Sequence, residues 1–101
     1  MLLHTVNKSP FERNSFAQCM GHAKKGSSVL LIEDGVFAAL KGAANESVVS
    51  NAIGDIGVYV LGPDLNARGM TDEDVIDGVK IVDYTGFVEL AAEHDVVQSW
   101  L

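Results

Sequence analysis

The fold is decided by Val29-Leu30-Leu31-Ile32-Glu33-Asp34-Gly35, in which four consecutive apolar residues run into a polar turn. An unbroken apolar run of this length is typical of a β-strand that is covered on both faces. The pattern recurs in Val58-Tyr59-Val60-Leu61, which ends at Gly62-Pro63-Asp64. Strands of this kind predict a mostly parallel sheet with helices on both of its sides.

Helical segments alternate with strands on either side of these two runs. The sequence predicts further strands at 2–6 and 79–84, and helices at 35–41, 45–53, 63–68 and 85–94. In the last of these helices, Phe87, Leu90 and Ala91 are predicted to share one face. The first helix is predicted from Ser9-Pro10, as a capping box, to about Lys25, with a later start at Asn14 or Ser15 as the alternative. We therefore predict one α/β domain over residues 1–101, a three-layer Rossmann-like or flavodoxin-like fold with about four to five strands.

Composition limits the classes of partner. Fourteen acidic and seven basic side chains give a net charge of -7, which repels a phosphate backbone and argues against direct nucleic-acid binding. Apolar residues make up 48% of a chain of only 101 residues, so part of the apolar surface is expected to meet a protein partner. No apolar run is long enough to cross a bilayer, and a lone cysteine suits a reducing compartment, so we expect a cytoplasmic protein without membrane contact.

No cofactor or metal site is predicted. The chain has no glycine-rich phosphate loop after a strand, and Gly54-Asp55-Ile56-Gly57 precedes a strand instead of following one. The three histidines, at positions 4, 22 and 94, lack the short spacing that places two metal ligands on one helical face.

Cys19 is the only cysteine and therefore the only candidate for thiol chemistry. It is predicted to lie in the middle or latter half of the first helix, where the helix dipole does not favour a thiolate, and His22 is the one neighbour placed to assist. Three interpretations stay open: a reactive thiol, a mixed-disulfide partner, and a small core residue.

Polar residues follow each predicted strand, where ligands collect in open parallel sheets. These segments are Asn7-Lys8-Ser9, Glu33-Asp34-Gly35, Gly62-Pro63-Asp64 and Asp83-Tyr84-Thr85. Helix caps and turns use the same residue types, and this structural role is the favoured one. Trp100, near the apolar end of the chain, is expected either to dock on its own sheet or to anchor a subunit contact.

A set of segments spread over the chain resembles one known family. The segments are Leu3-His4-Thr5-Val6-Asn7-Lys8-Ser9-Pro10-Phe11, the stretches 29–36, 61–69 and 82–88, and Gln98-Ser99-Trp100. In this order they resemble the DsrH/TusB family of sulfur-relay proteins, in the DsrE-like superfamily. The resemblance implies a Rossmann-like subunit of a sulfurtransferase heterohexamer.

The resemblance implies two possible pathways. In a DsrEFH complex, the chain would join DsrE-like and DsrF-like subunits and support persulfide transfer toward DsrC in sulfur oxidation. In a TusBCD complex, it would join TusD-like and TusC-like subunits and support transfer toward TusE for 2-thiolation of the tRNA wobble uridine. The main persulfide cysteine belongs to DsrE or TusD, so this chain is expected to be an accessory subunit. A cysteine matching Cys19 is typical of DsrH, which favours DsrH and makes Cys19 the candidate persulfide acceptor.

Overall fold

The computed structural model describes residues 2–100 and contains a five-stranded sheet in which every neighbouring pair of strands is parallel. The strands are β1 (Leu2–Val6), β2 (Ser28–Leu31), β3 (Gly57–Leu61), β4 (Lys80–Val82) and β5 (Val96–Trp100). Their order across the sheet is β4-β3-β2-β1-β5, so the chain steps outward from β1 to β4 and then crosses to the other edge. The predicted parallel α/β architecture is confirmed.

Four α-helices and two 3-10 helices connect the strands within the described residues. They are α1 (Ser15–His22), α2 (Glu46–Ala52), α3 (Gly62–Ala67) and α4 (Tyr84–Glu93), with 3-10 helices at Glu33–Ala39 and Asp72–Asp74. Side chains of α1, α2 and α3 share one core with one face of the sheet, whereas Leu90 of α4 packs with Leu3 and Leu30 on the other face. The sheet is therefore the middle of three layers, with α1, α2 and α3 on one face and α4 on the other.

The two faces are covered unequally. The first core contains most of the buried apolar residues, among them Val6, Val29 and Leu31. Within residues 2–100, the helix residues of the second core all come from α4: Leu90 and the partly buried Phe87 and Ala91. These three residues share one side of the helix, as the sequence predicted, while Val88 on the same helix is 68% exposed.

The first helix begins later and ends earlier than predicted from Ser9-Pro10 and Lys25. It starts at Ser15, which agrees with the alternative start, and ends at His22. The carbonyl oxygen of Ser9 accepts from the backbone N–H groups of Glu12 and Arg13, and its hydroxyl accepts from Phe11 N–H. Ser9 therefore closes a turn rather than capping a helix, because the same residue type satisfies either structure.

The chain around β4 and after α4 also differs from the predicted boundaries. The fourth strand covers only Lys80–Val82, because the Asp83 side chain accepts from Gly86 N–H at 2.8 Å and caps α4. The apolar tail forms β5 and pairs along the whole of β1. Trp100 thus docks on its own sheet, one of the two predicted outcomes.

Candidate functional site

The loops after β2 and β3 meet at the carboxyl edge of the sheet. Glu33 N–H donates to Asp64 Oδ2 at 2.7 Å, and Arg68 Nε–H donates to Asp34 Oδ1 at 2.9 Å. Arg68 also donates to the Asp64 carbonyl at 3.1 Å. Asp64 therefore binds the backbone that follows β2, and Asp34 binds Arg68 at the end of α3, which fits the structural role favoured for these acidic residues.

An open groove of about 530 Å³ lies beside this network, between α3 and α4. It is lined by Gly62, Pro63, Asn66, Ile81, Val82, Asp83 and Gly86. This lining includes no cysteine, histidine or basic residue, so it supplies no thiol for sulfur transfer and no cation for an anionic substrate. Of the four predicted segments, those after β3 and β4 line the groove, whereas Asn7-Lys8-Ser9 and Glu33-Asp34-Gly35 do not.

The side chain of Cys19 points from α1 into the core between this helix and the sheet. It does not line the groove at the carboxyl edge. The side chain is fully buried and belongs to the same apolar cluster as Val6, Phe16 and Val29. Burial raises the pKa of the Cys19 thiol to about 12, because a thiolate there would lose its hydration. The thiolate is the reacting form of cysteine, so this position suppresses sulfur exchange.

His22, the residue expected to assist Cys19, is engaged elsewhere. Its Nδ1 lies 2.8 Å from the carbonyl oxygen of Gln18, to which it donates. Its ring also packs against Trp100, with 5.5 Å between the ring centroids. These contacts hold His22 at the end of α1 with Gln18 and Trp100, not Cys19, as its partners.

A contact between the two ends of the chain was not predicted from the sequence. The Nε1–H of Trp100 donates to Nδ1 of His4 at 3.0 Å, and His4 is buried. His4 Nδ1 must then be the acceptor, which places the ring proton on Nε2, a buried atom with no hydrogen-bond partner. Burial, and secondarily the neighbouring His22, lower the pKa of His4 and keep it neutral.

Residues 2–100 contain neither a cluster of metal ligands nor a membrane-spanning helix. No three His, Cys, Asp or Glu side chains in this range come together as metal ligands. None of its helices has the length and apolarity of a membrane-spanning segment.

Cys19 should resist thiol reagents in the folded protein. With a pKa of about 12 instead of 9.0, the thiolate fraction at pH 8 is lower by about a thousandfold, and the side chain is also inaccessible. We expect an aromatic disulfide reagent to label the chain at the rate of unfolding and to label it at once in denaturant. Because the chain has a single cysteine, fast labelling of the native protein would contradict this placement.

The stability of the protein should depend on pH through His4. Its pKa is lowered from 6.5 on folding, so the unfolded chain binds the proton more readily. Stability is therefore full above about pH 6.5 and falls as the pH decreases toward the lower, folded-state pKa. Urea unfolding between pH 7 and pH 5 should show this loss, and His4→Phe should reduce it. An identical pH slope in the two proteins would rule out His4 as its source.

The sequence of this chain matches a known protein family. A family model described as DsrH like protein matches residues 8–97. The chain belongs to this family. The DsrH-like resemblance of the sequence is thereby confirmed over almost its whole length.

Two relatives illustrate how the match extends along this DsrH-like chain. Protein TusB of Escherichia coli K12 is 36% identical over 99 residues, covering 98% of this chain and 100% of the relative. Protein TusB of Pectobacterium parmentieri is 34% identical over 100 residues, with the same coverage of both chains. The sequence favoured DsrH because of Cys19, but these relatives carry the name of the alternative, TusB.

Solved structures of other proteins share the fold of this DsrH-like chain. The ychN protein of Escherichia coli superposes with a TM-score of 0.81 at 18% identity, covering 97% of each chain. A Methanobacterium thermoautotrophicum protein of unknown function gives a TM-score of 0.77 at 17% identity, with 97% and 96% coverage. At these identities the likeness establishes the fold alone.

Proposed function

We propose that this chain is the TusB-type subunit of a cytoplasmic sulfur-relay complex that supports 2-thiolation of the tRNA wobble uridine. In this proposal TusD-like and TusC-like subunits complete the complex, and sulfur passes to a TusE-like carrier through cysteines of the other chains. The observation that carries the proposal is the burial of Cys19, because a subunit whose only thiol is buried is suited to assembly rather than sulfur transfer.

The outer surface of α4 supplies a docking face for a sister subunit. We define this α4 face as Tyr84 and Val88, which are 60% and 68% exposed. Tyr84 and Val88 are four residues apart and lie on one side of the helix. Because α4 is the one helix of residues 2–100 that packs on this side of the sheet, a neighbouring subunit would extend the apolar layer that it leaves incomplete.

A DsrH-type subunit in sulfur oxidation is the second candidate. It is favoured by the cysteine in the first helix, which makes Cys19 a persulfide acceptor in that interpretation. The step would transfer a sulfur atom from a donor persulfide to the Cys19 thiolate and release the donor thiol. That step requires a thiolate, which the raised pKa of Cys19 disfavours. It also requires access to the sulfur atom, which the burial of the side chain prevents.

Coexpression with TusC-type and TusD-type subunits tests the proposal. We expect the three chains to purify together and this chain to restore 2-thiouridine in the tRNA of a bacterium that lacks TusB. The modified nucleoside is measured by mass spectrometry of digested tRNA. Failure to join the complex, or association only with DsrE-type and DsrF-type subunits, would contradict the TusB assignment.

A further inference from the structure

The last strand, β5, contributes a single side chain to the hydrophobic cores. Within the described part of the chain, residues 96–99 are exposed and belong to neither core, whereas Trp100 is half-buried and packs against the core under α1. β5 lies at the edge of the sheet and pairs only with β1 in residues 2–100. Segments with few buried apolar contacts open more easily than the rest of a fold. Separation of β5 from β1 therefore requires only that Trp100 is released and the pairing of the two strands is broken.

Trp100 is bound to His4 on the α1 side of the sheet. Leu3 packs with α4 on the other side, and successive strand residues point to opposite faces, so His4 points toward α1. There the Nε1–H of Trp100 donates to His4 Nδ1 at 3.0 Å, and the ring of His22, at the end of α1, packs against Trp100. The His4–Trp100 bond thus joins the one packed side chain of β5 to the neighbouring strand.

The His4–Trp100 bond requires a neutral His4. A neutral imidazole has one acceptor nitrogen, whereas the protonated ring carries a hydrogen on both nitrogens and accepts nothing. His4 is only 2% exposed, and its Nε2 already has no hydrogen-bond partner. Protonation would therefore set the new Nδ1–H against the Nε1–H of Trp100 and bury a charge without an acceptor, which is strongly unfavourable. Water can solvate the charged ring only after Trp100 has moved away.

The elements around His4 supply no acidic side chain to stabilise its charge. α1, β2 and β5 contact β1 on this side or pair with it, and none of the three contains an aspartate or a glutamate. The strand residues opposite His4 are the uncharged Val29 and Gln98. Burial, and secondarily the positive charge of His22, lowers the pKa of His4, while burial raises the pKa of the Cys19 thiol to about 12 and keeps it uncharged. His4 therefore binds a proton more readily once β5 has opened and the ring is hydrated.

We propose that the His4–Trp100 bond is an acid-sensitive attachment of β5: protonation of His4 releases Trp100 and separates β5 from β1, while the other four strands stay paired. The proton comes from solvent and binds the open state in preference to the closed one, so acid shifts the population toward the open state. This local step precedes the loss of global stability at low pH, because the remaining strands and helices keep the rest of both cores. The inference does not depend on the proposed function, since His4, His22 and Trp100 all belong to this chain.

Hydrogen exchange followed by mass spectrometry between pH 7 and pH 5 tests the release of β5. After correction for the intrinsic effect of pH on exchange, the amides of β5 should exchange at least about fivefold faster at pH 5, because opening takes up a proton. The amides of β2 and β3 should stay protected over the same range. The emission of Trp100, the only tryptophan, should shift to longer wavelength as its ring becomes hydrated. Unchanged exchange in β5, or loss of protection in all strands together, would overturn the proposal.

Two substitutions distinguish His4 from the neighbouring histidine as the source of the response. An asparagine places an amide oxygen near the position of Nδ1 but does not titrate, so His4→Asn should keep Trp100 bound and remove the pH response of its emission. His22→Gln removes a positive charge that opposes protonation of His4, so the response should persist and move to higher pH. A response that persists in His4→Asn would refute the role of His4. If His4→Asn does not fold, His22→Gln still decides, because a response that disappears or moves to lower pH in that variant would overturn the proposal.

Discussion

Replacing Gly35 with alanine is expected to cost more than about 3 kcal/mol of unfolding free energy, because a side chain at this buried position has no space. A Cβ atom there would lie 2.0 Å from the carbonyl oxygen of Val6 and 2.8 Å from its carbonyl carbon. Both atoms belong to the backbone of β1, which is held between β2 and β5 and cannot move alone. Urea unfolding followed by circular dichroism measures the loss.

Gly21 provides the matched control for this substitution. It lies in α1, and a Cβ atom there would meet nothing within 4 Å. Gly21→Ala should therefore be neutral or stabilise the protein by roughly 0.5–1 kcal/mol, because alanine is the better helix former. A Gly35→Ala protein as stable as Gly21→Ala would contradict the close approach to β1.

Val88→Asp is expected to abolish copurification with the sister subunits while leaving the fold intact. Val88 is 68% exposed, so the isolated chain should change in stability by no more than about 0.5 kcal/mol. In an assembled α4 face the new carboxylate would be buried without a partner, which costs several kcal/mol and drives dissociation. Affinity purification through a tag on the TusD-type subunit measures the loss.

Val48→Asp makes the same chemical change on the other side of the sheet. Val48 is 47% exposed on α2, which packs against the face opposite α4. This variant should copurify as the wild type does. If both variants lost the partners, or if neither did, the α4 face would not be the docking surface.

The sequence correctly predicted the strands and helices whose apolar residues follow a regular spacing along the chain. It placed an element boundary wrongly where the same residue type can either cap a helix or close a turn. The unbroken runs in β2 and β3 and the spacing of Phe87, Leu90 and Ala91 led directly to the sheet and to the buried side of α4. The start of α1 was misplaced because Ser9 closes a turn with the same groups that cap a helix.

The candidate site was predictable only in part. Parallel topology alone brings Asp34 and Asp64 to one edge of the sheet, and their joint contact with Arg68 follows from it. The bond between His4 and Trp100 joins residues 96 positions apart, and no local pattern signals it before β1 and β5 are paired. For Cys19, helical spacing gave its neighbours within α1, but its enclosure depends on Val6 and Val29 of the sheet below.

The amount of 2-thiouridine supported by Cys19→Ala tests the central claim most directly. The variant replaces wild-type protein in a bacterium that depends on it for tRNA thiolation, and assembly with the TusC-type and TusD-type subunits is verified in the same cells. If Cys19 only fills space in the core, the variant should assemble and sustain thiolation at the wild-type level. An assembled complex that no longer thiolates tRNA would show that sulfur passes through Cys19 and would contradict the account.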